Sequence, residues 1–508
     1  MSRTPKQPRD ERERTGRSPD VRGATETDRL PTGIAGLDTL LRGGFRRAGL
    51  HVVVGRPGVG KSVLAHQAGA RVVRDGGSVL YLTVLVETNE TLISQARTFS
   101  FFDRASVGRG FYYASLYPSL ERAGLQGMRD EVGRLVRERE PQLLVIDGLH
   151  ALKLAARSRL DYQRFVHELE AMSAVTGVTI LFLTHPRGSH AADPTYTIAD
   201  GVLRLSRRQL QLRTERLLTV TKMRGVNAID GSHGYAITKD GIQLYPRLEA
   251  LVQAHGLVLE GGERTLHDVA IDGFAELTGG GLPNASITLV NGTPGSGKTM
   301  LSLAFMAEGA RRKEPGLYFS FHDLPDRMLM KAESVGLKGL ARAVRDGLVR
   351  IQRQSPGELF ADELAGRMLE EVDRRGVKRL VIDTLGELQR SSELGGRSMP
   401  FLTALTDSLR ARRVTAVLVQ DLPRIVGPTF DLPFGEVSSL MDNMVHTRFV
   451  EIGGELRRAI VVLKMREQGY DSRIREYLIG PKGMRVGDRL SRAEAILSGI
   501  PRATRMDD

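Results

Sequence analysis

Two glycine-rich segments combine the residue types and the spacing that bind the phosphates of a nucleotide. Each has the pattern G-x-x-x-x-G-K-[ST]. The glycines let backbone N–H groups surround the β-phosphate, the lysine reaches the β and γ oxygens, and the hydroxyl binds Mg²⁺. An apolar strand precedes each segment and a helix follows it, which a chance glycine-rich turn does not explain. The predicted ATP-binding residues are Gly55, Gly58, Gly60, Lys61 and Ser62, then Gly292, Gly295, Gly297, Lys298 and Thr299.

Two aspartates at the ends of apolar strands are predicted to bind Mg²⁺ together with these hydroxyls. Asp147 ends the segment LLVID and Asp383 ends LVID, at nearly the same distance after the two lysines. An aspartate in this position binds the nucleotide's metal through the loop hydroxyl or through water. A turn-forming aspartate is the alternative. The predicted metal ligands are Ser62, Asp147, Thr299 and Asp383.

A group that orients the attacking nucleophile is expected after the second strand of each half. Glu87 occupies this place in LVETNETL, and His322 and Asp323 occupy it in HDLPDRML. A carboxylate that faces the γ-phosphate can take up the proton of the nucleophile. Glu87 and Asp323 are therefore the predicted catalytic carboxylates, with solvated loop residues as the alternative.

The elements that position these residues occur twice, at an interval of roughly 240 residues. HVVVGRPGVGKSVLA matches ITLVNGTPGSGKTML, LLVIDGL matches LVIDTL, and LTVTKMRG matches IVVLKMRE. Short apolar runs alternate with amphipathic segments such as GMRDEVGRLVRERE and ELAGRMLEEVDRRG. Strands that are buried on both faces and separated by helices predict an α/β fold with a mainly parallel sheet. A β-hairpin is predicted at the end of each copy.

This repeat predicts the organisation of the chain into tandem domains. We predict a disordered mixed-charge tail over 1–28, a first domain over 29–250, a linker over 251–262, a second domain over 263–490 and a C-terminal tail over 491–508. The linker is placed where hydrophobic periodicity is lost and two glycines follow each other.

Composition and net charge exclude some classes of function and favour others. The 508 residues are 41% hydrophobic and 26% charged, which is typical of a globular protein. The absence of cysteine excludes disulfides, cysteine-bound metals and thiol catalysis, and favours a cytoplasmic protein. No apolar run reaches the length of a membrane span. The net charge of +13 favours an anionic ligand or partner.

Segments outside the phosphate loops resemble the KaiC family, whose members contain two RecA-like P-loop ATPase domains. The similarity extends from about Thr32 to Arg502. It rests on TGIAGLDTLLRGG, ETNETLISQARTF, TVTKMRG and YAITKDGIQLYP in the first copy, and on FVEIGGELRRAIVVLKMRE and IREYLIGPKGMRV in the second. The resemblance implies two tandem RecA-like domains, each with a mainly parallel sheet flanked by helices.

The resemblance also implies a homohexameric ring with ATP at the subunit interfaces, and possible signalling partners. The first domain would be a slow ATPase and the second an autokinase. Lys222 and Arg224, and Lys464 and Arg466 in the second copy, would reach the γ-phosphate bound by a neighbouring subunit. A solvent-exposed basic pair on a strand is the alternative.

The phosphoacceptors implied by the resemblance are Ser438 and Ser439 in GEVSSLMDN. The family commonly has serine followed by threonine there, so Ser439 keeps a hydroxyl. Two serines that merely cap a helix are the alternative.

The family often has paired glutamates where this chain has Val86-Glu87 and His322-Asp323. The first site therefore retains one carboxylate, and the second retains the shorter Asp323. Two alternatives follow for the second site: His322 assists as a base, or the site is weak.

Two other functions are compatible with the same residues. One is a recombinase-like ATPase stimulated by DNA, suggested by the charge and by RRQLQLRTER. In that segment arginines alternate with leucine and glutamine as on one face of a strand, and aromatic residues that would stack on bases are few, so DNA is the less favoured partner. The other is a nucleotide-sensing scaffold without significant hydrolysis.

Overall fold

A computed structural model describes residues 28–84, 89–186, 193–210, 213–257, 263, 265–355, 360–390, 396–422, 437–452, 454–490, 493–494 and 502–503. Residues 1–27 of the predicted N-terminal tail and Glu87 lie outside these residues, as does most of the predicted C-terminal tail.

The strands of the first half include every strand that its apolar runs predict. In chain order they are β1 (Arg29–Leu30), β2 (Phe45–Arg46), β3 (Leu50–Gly55), β4 (Val79–Thr83), β5 (Phe111–Ser115), β6 (Leu143–Asp147), β7 (Thr179–Thr184), β8 (Gly201–Leu210), β9 (Arg213–Met223), β10 (Ser232–Thr238) and β11 (Gly241–Tyr245).

Helices lie between most of these strands. They are α1 (Ala35–Leu40), α2 (Lys61–Arg74), α3 (Asn89–Ala96), α4 (Tyr117–Arg139), α5 (Leu149–Ala155), α6 (Arg159–Thr176), α7 (Pro194–Ile198) and α8 (Leu248–His255). A short 3₁₀ turn spans Arg104–Ser106.

The second half repeats this alternation. Its strands are β12 (Leu266–His267), β13 (Leu282–Pro283), β14 (Ile287–Gly292), β15 (Gly316–Ser320), β16 (Val349–Arg353), β17 (Arg379–Asp383), β18 (Thr415–Asp421), β19 (Asn443–Ile452), β20 (Glu455–Met465), β21 (Arg475–Gly480), β22 (Gly483–Arg489), β23 (Ala493–Glu494) and β24 (Arg502–Ala503). Its helices are α9 (Phe274–Thr278), α10 (Lys298–Arg311), α11 (Pro325–Ser334), α12 (Leu340–Arg345), α13 (Ala361–Arg375), α14 (Leu385–Arg390), α15 (Ser398–Ala411) and α16 (Val437–Leu440).

The two large sheets have the same strand order, which confirms the fold class and the repeat. The first runs β5-β4-β6-β7-β3-β8-β9-β10-β11 and the second β16-β15-β17-β18-β14-β19-β20-β21-β22. Strands from β5 to β3 pair in parallel, as do those from β16 to β19. The predicted terminal hairpin is confirmed in the second sheet, where β19 and β20 are antiparallel. Each phosphate loop therefore follows a central strand.

Buried side chains cover both faces of the second sheet. Along β17, Leu380 and Ile382 belong to one apolar cluster, which also contains residues of α13 and α15. Val381 belongs to another cluster, which contains residues of α10 and α12. Successive residues of a strand point to opposite faces, so a continuous apolar run is required when helices pack on both.

Contacts divide the chain into two compact units. One comprises Met1–Pro57, Lys61–Leu203 and Thr221–Ala228, and the other comprises Gly58–Gly60, Arg204–Val220 and Ile229–Asp508. Helix α8 lies in the second unit. Its first residue, Leu248, donates its backbone N–H to Asp362 Oδ1 at 3.1 Å, and Glu249 pairs with Arg397 at 2.7 Å. Part of the predicted linker is thus a packed helix, while the domain boundaries at 250 and 263 remain a prediction.

Candidate functional site

The first phosphate loop lies between β3 and α2, as its sequence predicts. Gly58 and Gly60 have φ angles of 74° and 103°, which a residue with a side chain adopts rarely. The Lys61 ammonium donates to the Gly55 carbonyl at 2.9 Å and to the Arg56 carbonyl at 3.3 Å. Lys61 is buried, and this burial lowers its pKa. The lysine is therefore directed along the loop that would surround a phosphate.

The second loop has the same geometry between β14 and α10. Lys298 donates to the Gly292 carbonyl at 3.0 Å and to the Thr293 carbonyl at 2.8 Å. Gly297 has a φ of 105°, and a Cβ there would lie 2.6 Å from the side chain of Tyr477. Glycine is thus required at this position by both the backbone and the packing. The two loops thus have the same backbone geometry, although the residues around them differ.

In each half the loop hydroxyl contacts the predicted metal-binding aspartate. The distance is 3.2 Å from Ser62 Oγ to Asp147 Oδ2, and 3.0 Å from Thr299 Oγ1 to Asp383 Oδ2. Strands β6 and β17 bring the aspartates beside the loops because each lies two strands from the loop strand, with β7 or β18 between them. A hydroxyl next to a carboxylate is the donor set that Mg²⁺ prefers when a nucleotide supplies further oxygens.

A tyrosine that the sequence did not single out also contacts each aspartate. Tyr81 donates to Asp147 at 2.8 Å, and Tyr318 donates to Asp383 at 2.7 Å. Burial raises the pKa of both aspartates, and the hydrogen bonds from the tyrosine and the loop hydroxyl oppose this rise. The signal available in the sequence was the matching position of the two tyrosines in β4 and β15.

The residue at the carboxyl end of the strand next to each loop strand differs between the halves. In the first half, His185 Nδ1 lies 3.5 Å from Lys61 Nζ. In the second half, Asp421 Oδ1 lies 2.8 Å from Lys298 Nζ and forms an ion pair with it. The two loop lysines thus contact different kinds of side chain, an imidazole in the first half and a carboxylate in the second.

A cavity of 330 Å³ opens beside the second loop. It joins the predicted ATP-binding and metal-binding residues with the residues that follow β15. Its lining includes Gly295, Gly297, Lys298, Thr299, His322, Asp323, Lys331, Asp383 and Asp421. The structure therefore brings the predicted catalytic Asp323 and its neighbour His322 to the same cavity as the phosphate loop.

The groups after β15 have partners of their own. Asp323 Oδ2 pairs with Lys331 at 2.7 Å. His322 Nε2 lies 3.2 Å from Glu387 Oε1 on α14, and Glu387 is only 8% exposed. Glu387 was missed by the sequence analysis, because only the pairing of β15 with β17 brings the start of α14 to this place.

The two basic pairs predicted to act on a neighbouring subunit contact backbone carbonyls of their own half. Lys222 and Arg224 donate to Thr197 at 2.8 and 3.1 Å, at the end of α7. Lys464 donates to the carbonyls of Ser438 at 2.7 Å and Met441 at 2.8 Å.

Both predicted phosphoacceptors lie on α16 next to this second pair. Ser438 is half-buried and Ser439 is exposed. Arg466 donates to the Ser439 carbonyl. The structure thus brings together Ser438, Ser439, Lys464 and Arg466, which the sequence analysis had connected only through the resemblance.

Within the described residues, no helix has the length and hydropathy of a membrane span. No group of three or more histidine, aspartate or glutamate side chains in that same part of the chain could bind a metal by itself.

Comparisons with known proteins identify the family of the chain. The family model for the KaiC ATPase matches residues 30–249 and again 268–491. The circadian clock oscillator protein KaiC of Picosynechococcus sp. is 24% identical over 493 residues, covering 94% of this chain and 93% of its own length. The protein of the same name from Prochlorococcus marinus subsp. pastoris is 25% identical over 94% of each chain. That from Thermostichus vulcanus is 25% identical over 97% of this chain and 95% of its own. With a P-loop and its aspartate complete in both halves, this chain belongs to the KaiC family of ATPases.

Proposed function

We propose that this chain binds and hydrolyses ATP with Mg²⁺ in both halves, and that its second half phosphorylates Ser438 and Ser439. It acts as a homohexameric signalling or timing switch in the cytoplasm. The relatives are clock oscillator proteins by name, and the timing role is carried over from them. Hydrolysis rests on one observation above all: the loop hydroxyl, the aspartate and the loop lysine are assembled in both halves.

The residues present fit a bound Mg²⁺. Ser62 with Asp147, and Thr299 with Asp383, each pair a hydroxyl and a carboxylate within 3.2 Å. Both aspartates are largely buried, and burial raises the pKa of each, so a cation would stabilise the charged form. When bound, Mg²⁺ neutralises charge on the β- and γ-phosphates. These four residues are the ones that would hold it.

Autophosphorylation is supported by the surroundings of α16. The backbone carbonyls of Ser438 and Ser439 accept hydrogen bonds from Lys464 and Arg466. In a ring, the same surface would present acceptor hydroxyls and two cations to the nucleotide of the next subunit. Cations at that point stabilise the charge that the transferred phosphoryl group spreads over its oxygens. Two added phosphates would place negative charge beside the same cations and alter packing between subunits.

DNA binding receives less support. The arginine-rich segment RRQLQLRTER forms parts of β8 and β9, as its alternation predicts. Arg207 donates to the Gly58 carbonyl, and Arg208 pairs with the buried Glu215 at 2.8 Å. These two side chains therefore contact groups of the same chain.

The experiment measures ADP release by the purified chain with Mg²⁺ and ATP, with and without single-stranded DNA, and maps phosphoserine by mass spectrometry. We expect hydrolysis that DNA does not change and phosphate on Ser438 or Ser439. Lys298→Ala should remove the phosphoserine, while Lys61→Ala removes only the first site's share of ADP release. A several-fold rise with DNA and unmodified serines would instead indicate a DNA-stimulated ATPase. Tight ATP binding without either activity would indicate a scaffold.

A further inference from the structure

His322 and Glu387 form a close side-chain contact beside the second phosphate loop. His322 Nε2 and Glu387 Oε1 are 3.2 Å apart. The histidine side chain is 59% exposed and lines the cavity that contains Lys298 and Thr299, whereas the glutamate side chain is 10% exposed. A buried carboxylate therefore supports a histidine that remains accessible from the nucleotide side.

This contact selects the form of the imidazole. Because a carboxylate only accepts hydrogen bonds, the His322 nitrogen that faces Glu387 carries the proton in the neutral ring. The other nitrogen, Nδ1, then has a free lone pair. A carboxylate in this position also stabilises the imidazolium that forms when Nδ1 takes up a proton.

The internal repeat gives an independent indication. Where the second copy has His322 and Glu387, the first copy has Val86 and Ala151. Both members of the pair are thus apolar in one copy and polar in the other. A solvent-exposed histidine needs no buried glutamate, so the joint difference favours a pair that acts as a unit.

The carboxylates that line the cavity beside His322 have other partners. Asp323 pairs with Lys331, Asp421 pairs with Lys298, and Asp383 accepts hydrogen bonds from Tyr318 and Thr299. The charged residues of the described lining, apart from His322, are Lys298, Asp323, Lys331, Asp383 and Asp421.

We propose that His322 is the general base of the second site and that Glu387 is its positioning residue. The proposal rests on the proposed function, since it requires phosphoryl transfer at this site. His322 Nδ1 takes the proton of the attacking hydroxyl, which belongs to an acceptor serine or to water. The oxygen of that hydroxyl forms a bond to the γ-phosphorus, and the bond from that phosphorus to the β–γ bridging oxygen breaks. ADP leaves with the electron pair of the broken bond.

The test compares His322→Gln, Glu387→Gln and the double variant in the full chain. Phosphoserine formation reports transfer to serine, and ADP release in a Lys61→Ala background reports transfer to water at the second site. Removal of a general base costs about 10²- to 10⁴-fold in rate. We expect about a 100-fold loss for His322→Gln and about a 10-fold loss for Glu387→Gln. The double variant should be no more than about two-fold slower than His322→Gln, because groups that act as a unit are not additive.

Two readouts separate a chemical role from a structural one. The affinity for a fluorescent ATP analogue should be the same in wild type and His322→Gln, so that the loss lies in turnover. The acid limb of the wild-type pH–rate profile should disappear in His322→Gln. His322 is largely exposed, so its substitution spares the fold even if Glu387→Gln does not.

The outcomes are distinguishable from failure of the proposed function. A wild type without phosphoserine and without second-site ADP release contradicts the proposed function and the base together. If the wild type is active and His322→Gln is equally active, His322 is not the general base, while the proposed function stands. Unchanged activity in Glu387→Gln, with the loss in His322→Gln retained, overturns the positioning role.

Discussion

The predicted nucleotide site of the second half joins side chains that are distant in sequence. Thr299 and Lys298 are adjacent members of one motif, so their role follows directly from the sequence. Tyr318 and Glu387 reach Asp383 and His322 only through the pairing of β15 with β17. Local spacing therefore predicted the phosphate loop, the hydroxyl and the aspartate, but not the residues that hold the aspartate and the histidine in place.

The tyrosine bound to the second aspartate should contribute to stability. Tyr318→Phe removes a hydrogen bond to the buried Asp383, whose pKa burial already raises, and leaves that carboxylate with fewer donors. A buried group that loses its partner costs about 1–3 kcal/mol. We expect a loss of this size in the free energy of unfolding, measured with urea. Tyr117→Phe is the matched control at an exposed tyrosine, with a change below about 0.5 kcal/mol. Equal stability of both variants would contradict the importance of this hydrogen bond.

At the scale of elements, continuous apolar runs predicted the central strands correctly. The edge strands β5 and β16 were not predicted, because FYYAS and VRIQR are only partly buried and carry no clear pattern. Helix α8 was also missed within the predicted linker. Its position depends on Arg397, which binds both Glu249 and Asp362, and no local signal encodes such a contact.

Helix α16 should depend on the basic pair that follows it. The helix has four residues, too few to be stable alone, and Lys464 donates to carbonyls at its end. Lys464→Met removes these bonds while keeping the length of the side chain. We expect the amides of Val437–Leu440 to exchange with deuterium at least about ten-fold faster, which corresponds to about 1.4 kcal/mol of local stability. Lys482→Met, in an exposed turn, should leave the exchange of α16 unchanged. An unaffected α16 in Lys464→Met would show that other contacts maintain it.

An ion pair between a buried arginine at the start of β17 and a partly exposed glutamate should stabilise the second half in a pH-dependent way. Arg379 is fully buried and pairs with Glu314 at 2.6 Å. Burial would raise the pKa of Glu314, but the hydrogen bond from His267 and the charge of Arg379 lower it to about 2. Because this pKa is lowered from 4.5, the stabilisation is complete above pH 4.5 and is lost as the pH falls toward 2.

Glu314→Ala should therefore destabilise the chain near neutral pH. It leaves the buried Arg379 without its carboxylate. Because Glu314 is partly exposed and Arg379 still donates to the Asp268 and Phe305 carbonyls, we expect a cost of about 1–3 kcal/mol, below that of a fully buried pair. The variant should also lose that part of the acid dependence of unfolding. Thermal unfolding at pH 7 and at pH 3 measures both effects. A variant that keeps wild-type stability at pH 7, or the full wild-type difference between the two pH values, would contradict the assignment.

The whole molecule consists of two copies of one fold whose sites differ in specific residues. His185, Ala151 and Val86 in the first copy correspond to Asp421, Glu387 and His322 in the second. The phosphate loops, hydroxyls and aspartates are shared. The two copies therefore share a scaffold but have different side chains around the predicted position of the γ-phosphate. Two distinct reactions in one chain would require such a difference.

The most direct test of the proposed autokinase mixes two variant chains, neither of which can be phosphorylated when it is alone. Lys298→Ala chains retain Ser438 and Ser439 but lack a working second phosphate loop. Chains with Ser438→Ala and Ser439→Ala retain the loop but have no acceptor. The two are mixed with Mg²⁺ and ATP, and phosphate is mapped on each chain by mass spectrometry. We predict phosphoserine on the Lys298→Ala chains only in the mixture, because the neighbouring subunit supplies the nucleotide. Two results would contradict the account. In one, neither the mixture nor the wild type is phosphorylated. In the other, the wild type is phosphorylated but the mixture is not.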